Sequence, residues 1–128
     1  MNLSYYYKNE ADQFSFIRIP KALMKEDVFA SLSTQAKILY GLLLDQLGEA
    51  RKNKWLDEKN RVYVIYRISE IMEDMNVSKS KAVKILSELE QVGLVEKKHR
   101  GQGYSTLLYI KNFSTHSLNK KSIPEPEV

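Results

Sequence analysis

The chain has 128 residues, 43% hydrophobic and 28% charged, which suits one domain with one real core and is ordinary for a soluble globular protein. It contains no cysteine, so disulfides, thiolate metal sites and a catalytic thiol are excluded. A net charge of +4 leans toward a polyanionic partner, while the lack of a signal peptide or an apolar run of spanning length predicts a soluble, cytoplasmic protein without a membrane partner.

The first segment reads as an extended aromatic arm. Tyr5-Tyr6-Tyr7 and Phe14-Ser15-Phe16-Ile17-Arg18-Ile19 are rich in strand-forming residues and are separated by the polar stretch Lys8 to Gln13, so a β-hairpin or two arm strands are expected. Pro20 then suits the first turn of a short helix ending near Phe29. Aromatics this close to a terminus need cover. They pad the core or dock on another subunit, and Tyr5, Tyr7, Phe14 and Phe16 are the arm's candidates for a dimer contact.

Ser33 is a good N-cap for a helix from Thr34 to about Gly48. Ala36, Leu39, Tyr40, Leu43 and Leu47 form its core stripe, and Ile38 with Leu42 makes an apolar pair on nearly the opposite face. A helix apolar on two sides is buried on two sides. Either the arm covers that second face or a second subunit does, so Ile38 and Leu42 join the candidate dimer contact. Gly48 to Asn53 reads as a polar connector. Trp55-Leu56, the turn Asp57-Glu58-Lys59-Asn60 and Val62 to Tyr66 predict a hairpin, with Trp55 a packing residue. Asp57 and Glu58 have no third carboxylate or histidine nearby in sequence and read as a solvated turn, not a metal or acid–base site.

Two short amphipathic helix patterns follow, Ile68, Ile71, Met72, Met75 and then Ala82, Ile85, Leu86, Leu89, interrupted by Asn76-Val77-Ser78. Gly93, the run Leu94 to Arg100, the turn Gly101-Gln102-Gly103 and the return Thr106 to Ile110 complete a basic hairpin. Helix, tight turn, helix and hairpin in that order predict an α+β fold, a winged helix-turn-helix with an extended aromatic N-terminal arm. The expected organisation is arm and short helix over 1–32 and winged helix over 33–113. The segment 114–128, rich in Ser, Asn, Lys, Pro and Glu, reads as a disordered linker leading to a C-terminal domain not included here.

The charge is concentrated where such a domain meets DNA. Between Ser78 and Lys111 seven cations face three anions, an excess equal to the whole net charge. Ser78 is placed to cap the recognition helix, whose first turn, Lys79-Ser80-Lys81, enters the major groove in this fold, with Lys84 one turn deeper. A helix N-terminus favours anions, so lysines there are mildly unfavourable for the helix and point to function. The wing adds Lys97, Lys98, His99 and Arg100, with Gln102 between two glycines at the tip. Arg100 and Gln102 are candidates for a minor groove and His99 for a phosphate.

Catalysis is not expected. There are two histidines, His99 and His116, the second in the tail, and no phosphate-binding glycine loop or nucleophile–base constellation. No metal ligand set and no cofactor is expected either.

The wording of the chain resembles the N-terminal domain of RepA-type plasmid replication initiators of Gram-positive bacteria, the RepA_N family. The resemblance is carried by Glu10 to Phe16, Ile19-Pro20-Lys21-Ala22-Leu23, Leu32-Ser33, Ala36 to Asp45, Lys52-Asn53-Lys54-Trp55, Asp57-Glu58, Arg61-Val62-Tyr63, Ile71-Met72, Gly93 to Lys98 and Lys111-Asn112-Phe113. It covers residues 5 to 113. It implies a domain that binds double-stranded DNA at repeated sites, or iterons, in a plasmid origin, often within the initiator gene itself. It also implies a homodimer or higher assembly, and host replication proteins engaged through a C-terminal domain. Arg67 departs from the small capping residue usual before the first helix of the pair, and is read as a further phosphate contact. A winged-helix transcriptional regulator is the alternative. A winged helix used for protein contacts alone is disfavoured by Lys79, Lys81 and Lys84.

Overall fold

The computed structural model describes residues 1–8 and 15–113. Phe14, most of the polar arm stretch, and the whole 114–128 segment with His116 lie outside the described residues.

The arm does not form the expected strands, for no strand is found among residues 1–8 and 15–20. Instead residues 17–19 run along the long second helix. After Pro20 the chain makes one turn of helix, α1 (Ala22–Lys25), and a 3-10 turn at Asp27–Phe29, so the short helix is split in two. Leu23, fully buried, and Phe29 anchor this piece to the core.

Helix α2 (Thr34–Lys52) is the scaffold. Ser33 caps it, its hydroxyl accepting the Ala36 amide at 3.1 Å. Ala36, Leu39 and Leu43 are fully buried, each leucine contributing roughly 1.5–3 kcal/mol on removal from water. The helix passes Gly48 and continues to Lys52, because buried Ala50 extends the stripe. It closes only at Lys54, whose φ of +59° lets the Trp55 amide reach the Ala50 carbonyl (2.9 Å) and the Lys54 amide reach that of Arg51 (3.2 Å). On the second face of α2 a Cβ on Gly41 would lie 3.0 Å from the Arg18 carbonyl oxygen. The arm backbone therefore crosses α2 at Gly41, beside Ile38 and Leu42, as close as a side-chain-free position permits.

The segment after α2 forms a one-rung hairpin at Leu56 and Val62. Its turn is not merely solvated. The Asp57 carboxylate accepts the Lys59 and Arg61 amides (both 2.9 Å), Arg61 Nε (2.8 Å) and the Tyr109 hydroxyl (2.9 Å), leaving its side chain 5% exposed. Burial pushes this carboxyl up, but the bonds from Arg61, Tyr109 and Lys59 outweigh it and hold the group well below the usual carboxylate range.

Helices α3 (Ile68–Met75) and α4 (Lys79–Gln91) form the helix-turn-helix. Asn76 at φ +55° ends α3, and Ser78 then caps α4. Ala82, Ile85, Leu86 and Leu89 are buried against α2 and α3. Gly93 at φ +86° closes α4 with the Leu94 amide on the Leu89 carbonyl, the same closure as in α2.

The wing is strand β1 (Val95–Lys98) antiparallel to β2 (Leu107–Ile110), pairing Val95 with Ile110, Glu96 with Tyr109, Lys97 with Leu108 and Lys98 with Leu107. The connecting loop is residues 99–106, longer than the glycine-flanked turn expected from sequence. Val64 exchanges both backbone bonds with Leu108 at 2.8 Å, so β2 is the middle strand. That position explains its continuous apolar run. Leu108 faces the core, and Tyr109 faces outward beneath the 55–63 hairpin, where Arg61 lies 4.9 Å from its ring centre. β1 at the edge keeps the alternation of a half-exposed strand. Beyond β2 the Tyr40 hydroxyl donates to the Lys111 carbonyl (3.0 Å), and Phe113 packs edge-on against Phe29. Burial pushes the Tyr40 phenol up to about 12.

Candidate nucleic-acid interface

The first turn of α4 is an open helix end. The Ser78 hydroxyl accepts the Lys81 amide at 3.2 Å and lies 3.3 Å from the Ser80 hydroxyl. No acidic residue occupies that turn. Lys79 is exposed and Lys81 half-buried, and neither belongs to an ion pair among the described residues. Two positive charges thus sit at the positive end of the helix dipole, with no ion-pair partner among the described residues to offset them.

Lys84 differs. Its ammonium lies 3.3 Å from Glu88, one turn on. Glu88 accepts the Ser33 amide (2.7 Å) and the Ser33 hydroxyl (3.0 Å) across 55 positions of sequence. Burial pushes the Glu88 carboxyl up, but Ser33 and Lys84 hold it below the ordinary glutamate range. The charge of Lys84 is therefore partly neutralised within the fold.

The wing cations divide in the same way. Lys97 turns to the inner face, opposite Leu108, and pairs with Glu90 of α4 at 3.3 Å with only 25% of its side chain exposed. It is a brace between wing and helix. Lys98 is exposed and in no ion pair among the described residues. His99 Nδ1 lies 3.2 Å from the Thr106 hydroxyl, spanning the loop. Arg100 Nε donates to the Ser105 carbonyl (3.1 Å), and its guanidinium lies 5.4 Å from the centre of the exposed Tyr104 ring. Gln102 is exposed between Gly101 at φ +101° and Gly103 at φ +88°, values that favour glycine at both sites.

Arg67 closes the gap between wing and helices. Its amide donates to Glu70 Oε1 (2.8 Å), which is half of a reciprocal helix cap, since a guanidinium has no acceptor to return. The guanidinium reaches toward the Ser105 hydroxyl at 3.5 Å. Arg67 and Arg100 thus converge on Ser105 from the helix pair and from the loop. Beside Arg67 lies a cleft of about 380 Å³, with Arg67, Lys97, His99, Ser105 and Thr106 among its lining and Ile68, Leu86 and Leu108 as its apolar part. The sequence pattern gives Tyr104 and Ser105 no role, and Thr106 only a place in the return strand. An aromatic directly after Gly103 was the one local signal for them.

The candidate dimer residues differ in exposure. Tyr5, Tyr7 and Phe16 are exposed, and Phe14 is outside the described residues. Ile38 and Leu42 are half-buried, and Leu42 packs against the core. Among the described residues no cluster of three acids or histidines could hold a metal, and no helix is long and apolar enough to cross a membrane.

A family model for the N-terminus of replication initiator protein A (RepA) matches residues 15–123. A 41 kDa protein of Lactobacillus helveticus is 30% identical over 81 residues, covering 63% of this chain and 23% of that protein. The chain therefore spans under a quarter of that relative. Among solved structures, an N-terminal domain of a DNA-binding protein is 30% identical with a TM-score of 0.73, covering 99% of this chain and 98% of its own. A Rep–DNA complex is 28% identical with a TM-score of 0.70 (98% and 100% covered), and an MDR initiator 27% identical with a TM-score of 0.68 (93% and 98%).

Proposed function

The chain belongs to the RepA_N family of replication-initiator N-terminal domains, and on that premise we propose that it binds double-stranded DNA at repeated sites in a plasmid origin and so initiates plasmid replication. The open, cationic first turn of α4 is the observation that carries this reading. Lys79 and Lys81 flank the Ser78 and Ser80 hydroxyls in a turn without an acid, the arrangement a phosphate or a major-groove base edge completes. Ser78, Ser80 and Lys84 stand on the same helix. Lys98, His99, Arg100 and Gln102 follow the wing edge, with Arg67 at the seam, while Lys97 acts mainly as the brace that sets the wing angle.

The domain works as a binding module in the cytoplasm, without chemistry of its own. Self-association to a dimer or higher assembly goes through the aromatic arm, with Tyr5, Tyr7 and Phe16 as its exposed surface. Host replication proteins are engaged by a C-terminal domain of the whole initiator.

The test is fluorescence polarisation with duplexes tiled across the gene that encodes the chain, against a scrambled duplex, at two salt concentrations. One repeated segment bound about tenfold or more tighter than the scramble supports origin reading. Uniform weak binding that vanishes with salt defeats it. Specific binding confined to a promoter outside the gene favours a transcriptional regulator.

A further inference from the structure

The 55–63 hairpin carries an aromatic and cationic edge that the duplex surface does not use. Trp55, the chain's only tryptophan, stacks on Tyr63 across the hairpin with ring centres 6.2 Å apart and planes 19° from parallel. It remains 38% exposed. The stack is held rigidly, because the Tyr63 amide donates to the Trp55 carbonyl (3.2 Å) and the Trp55 amide closes α2 on Ala50. Asp57, Arg61 and Tyr109 fasten the turn to the outer face of the sheet. That face is opposite Leu108 and Lys97, and therefore opposite α4 and its lysines.

Around the stack cations outnumber acids, with Glu58 exposed in the turn and Glu96 lining a cleft with Arg51 and Arg61. Arg51, Lys54 and Lys59 are exposed and belong to no ion pair among the described residues. Between residues 50 and 65 the acids are Asp57 and Glu58, and Asp57 is taken up by Arg61 and Tyr109. Duplex DNA hides its base faces, so it would meet these cations and leave the ring unused. An acidic peptide would do the same. A single strand offers both a flat base for the exposed part of Trp55 and phosphates for the neighbouring cations.

We propose that this hairpin edge is a landing site for single-stranded nucleic acid, with a base stacked on Trp55 and phosphates met by Arg51, Lys54 and Lys59. The site is independent of the duplex surface, and its failure would leave the duplex reading intact.

Trp55 is its own reporter. The experiment titrates the chain with a short oligothymidylate at low salt and follows tryptophan fluorescence. The expected result is saturable quenching that survives Lys79→Ala with Lys81→Ala and is not displaced by duplex. Lys54→Glu with Lys59→Glu, two exposed changes that break no described ion pair, should weaken it about tenfold. Trp55→Ala, followed by anisotropy of a labelled oligonucleotide, should lose about tenfold or more. No quenching would overturn the proposal, as would quenching lost with the α4 lysines. Equal quenching by poly-glutamate would overturn it in favour of an acidic protein partner.

Discussion

At the start of α2, Ser33 accepts the Ala36 amide and then meets the Glu88 carboxylate; at the start of α4, Ser78 accepts the Lys81 amide and has lysines beside it. The two ends have the same cap and the same orphan amides. In α2 an acid from α4 supplies the negative charge that a helix N-terminus favours, and the end is closed within the fold. At the start of α4 the first turn holds no acid, and Lys79 and Lys81 stand there instead. Glu88 at α2 shows, inside this molecule, a helix end met by a carboxylate, and among the described residues no acid meets the α4 end in the same way.

The comparison is broken most forcefully at Glu88. Glu88→Ala removes two hydrogen bonds to Ser33 and the Lys84 pair, so a loss of about 2–3 kcal/mol is expected in chemical denaturation, with duplex affinity little changed. A loss no larger than that of an ordinary surface residue would mean the carboxylate does not close α2. The sign with pH follows from the depressed folded pKa of Glu88. Its contribution is full above the unfolded value, about 4.3, and is lost as pH falls through the folded one. Wild type should therefore lose stability below about pH 4 more steeply than Glu88→Gln. Asp57 has the same sign, so the difference between the two acid melts is the quantity to read.

Lys79→Ala with Lys81→Ala tests the open end. Duplex affinity should fall about tenfold or more and the salt slope should flatten by about two. The melting temperature should hold or rise, because lysines there cost the helix roughly 0.3–1 kcal/mol each. A lower melting temperature with unchanged affinity would make them structural residues. A smaller effect is expected at the caps. Ser78→Ala should cost about 1 kcal/mol, and Ser33→Ala more, since Ser33 also donates to Glu88. Equal costs in thermal melts would erase the contrast. The smallest effect concerns the other ends of the same helices, both closed by a left-handed residue, Gly93 in α4 and Lys54 in α2. Lys54→Gly should stabilise the fold by roughly 0.5–1 kcal/mol, a rise readable in the same melts.

What the sequence disclosed follows the range of the forces involved. Ser33, Ser78 and Gly93 act on residues three to five positions away, so their roles were legible. The helix-turn-helix, the wing and the family resemblance rest on such local signals and on hydrophobic period. Gly48 is a stop signal by residue type alone, whereas the closure uses Lys54 in a conformation glycine favours. The arm was read as strands from aromatic content, but it has no neighbouring strand to pair with and lies on a helix instead. The site was half legible for the same reason. Lys79 and Lys98 are exposed and Lys81 half-buried, none in an ion pair among the described residues, whereas the pairing of Lys84 with Glu88 and of Lys97 with Glu90 emerges only when helix and wing are packed. The bond from Ser33 to Glu88 spans too much chain for any local rule, and Asp57 looked solvated because Tyr109 lies far along the sequence.

The central position of β2 has a consequence for how such domains diversify. With Val64 on one side, β1 on the other and Arg61 over Tyr109, the base of the wing is held on three sides, and only residues 99–106 are left to vary in length. Lengthening a surface loop is cheap, about 0.6 kcal/mol for each doubling. The wing loop, which the proposed reading sets beside a duplex, is thus an interchangeable cassette. Grafting loops of different length and charge between Lys98 and Leu107 should retarget the domain while its unfolding midpoint hardly moves.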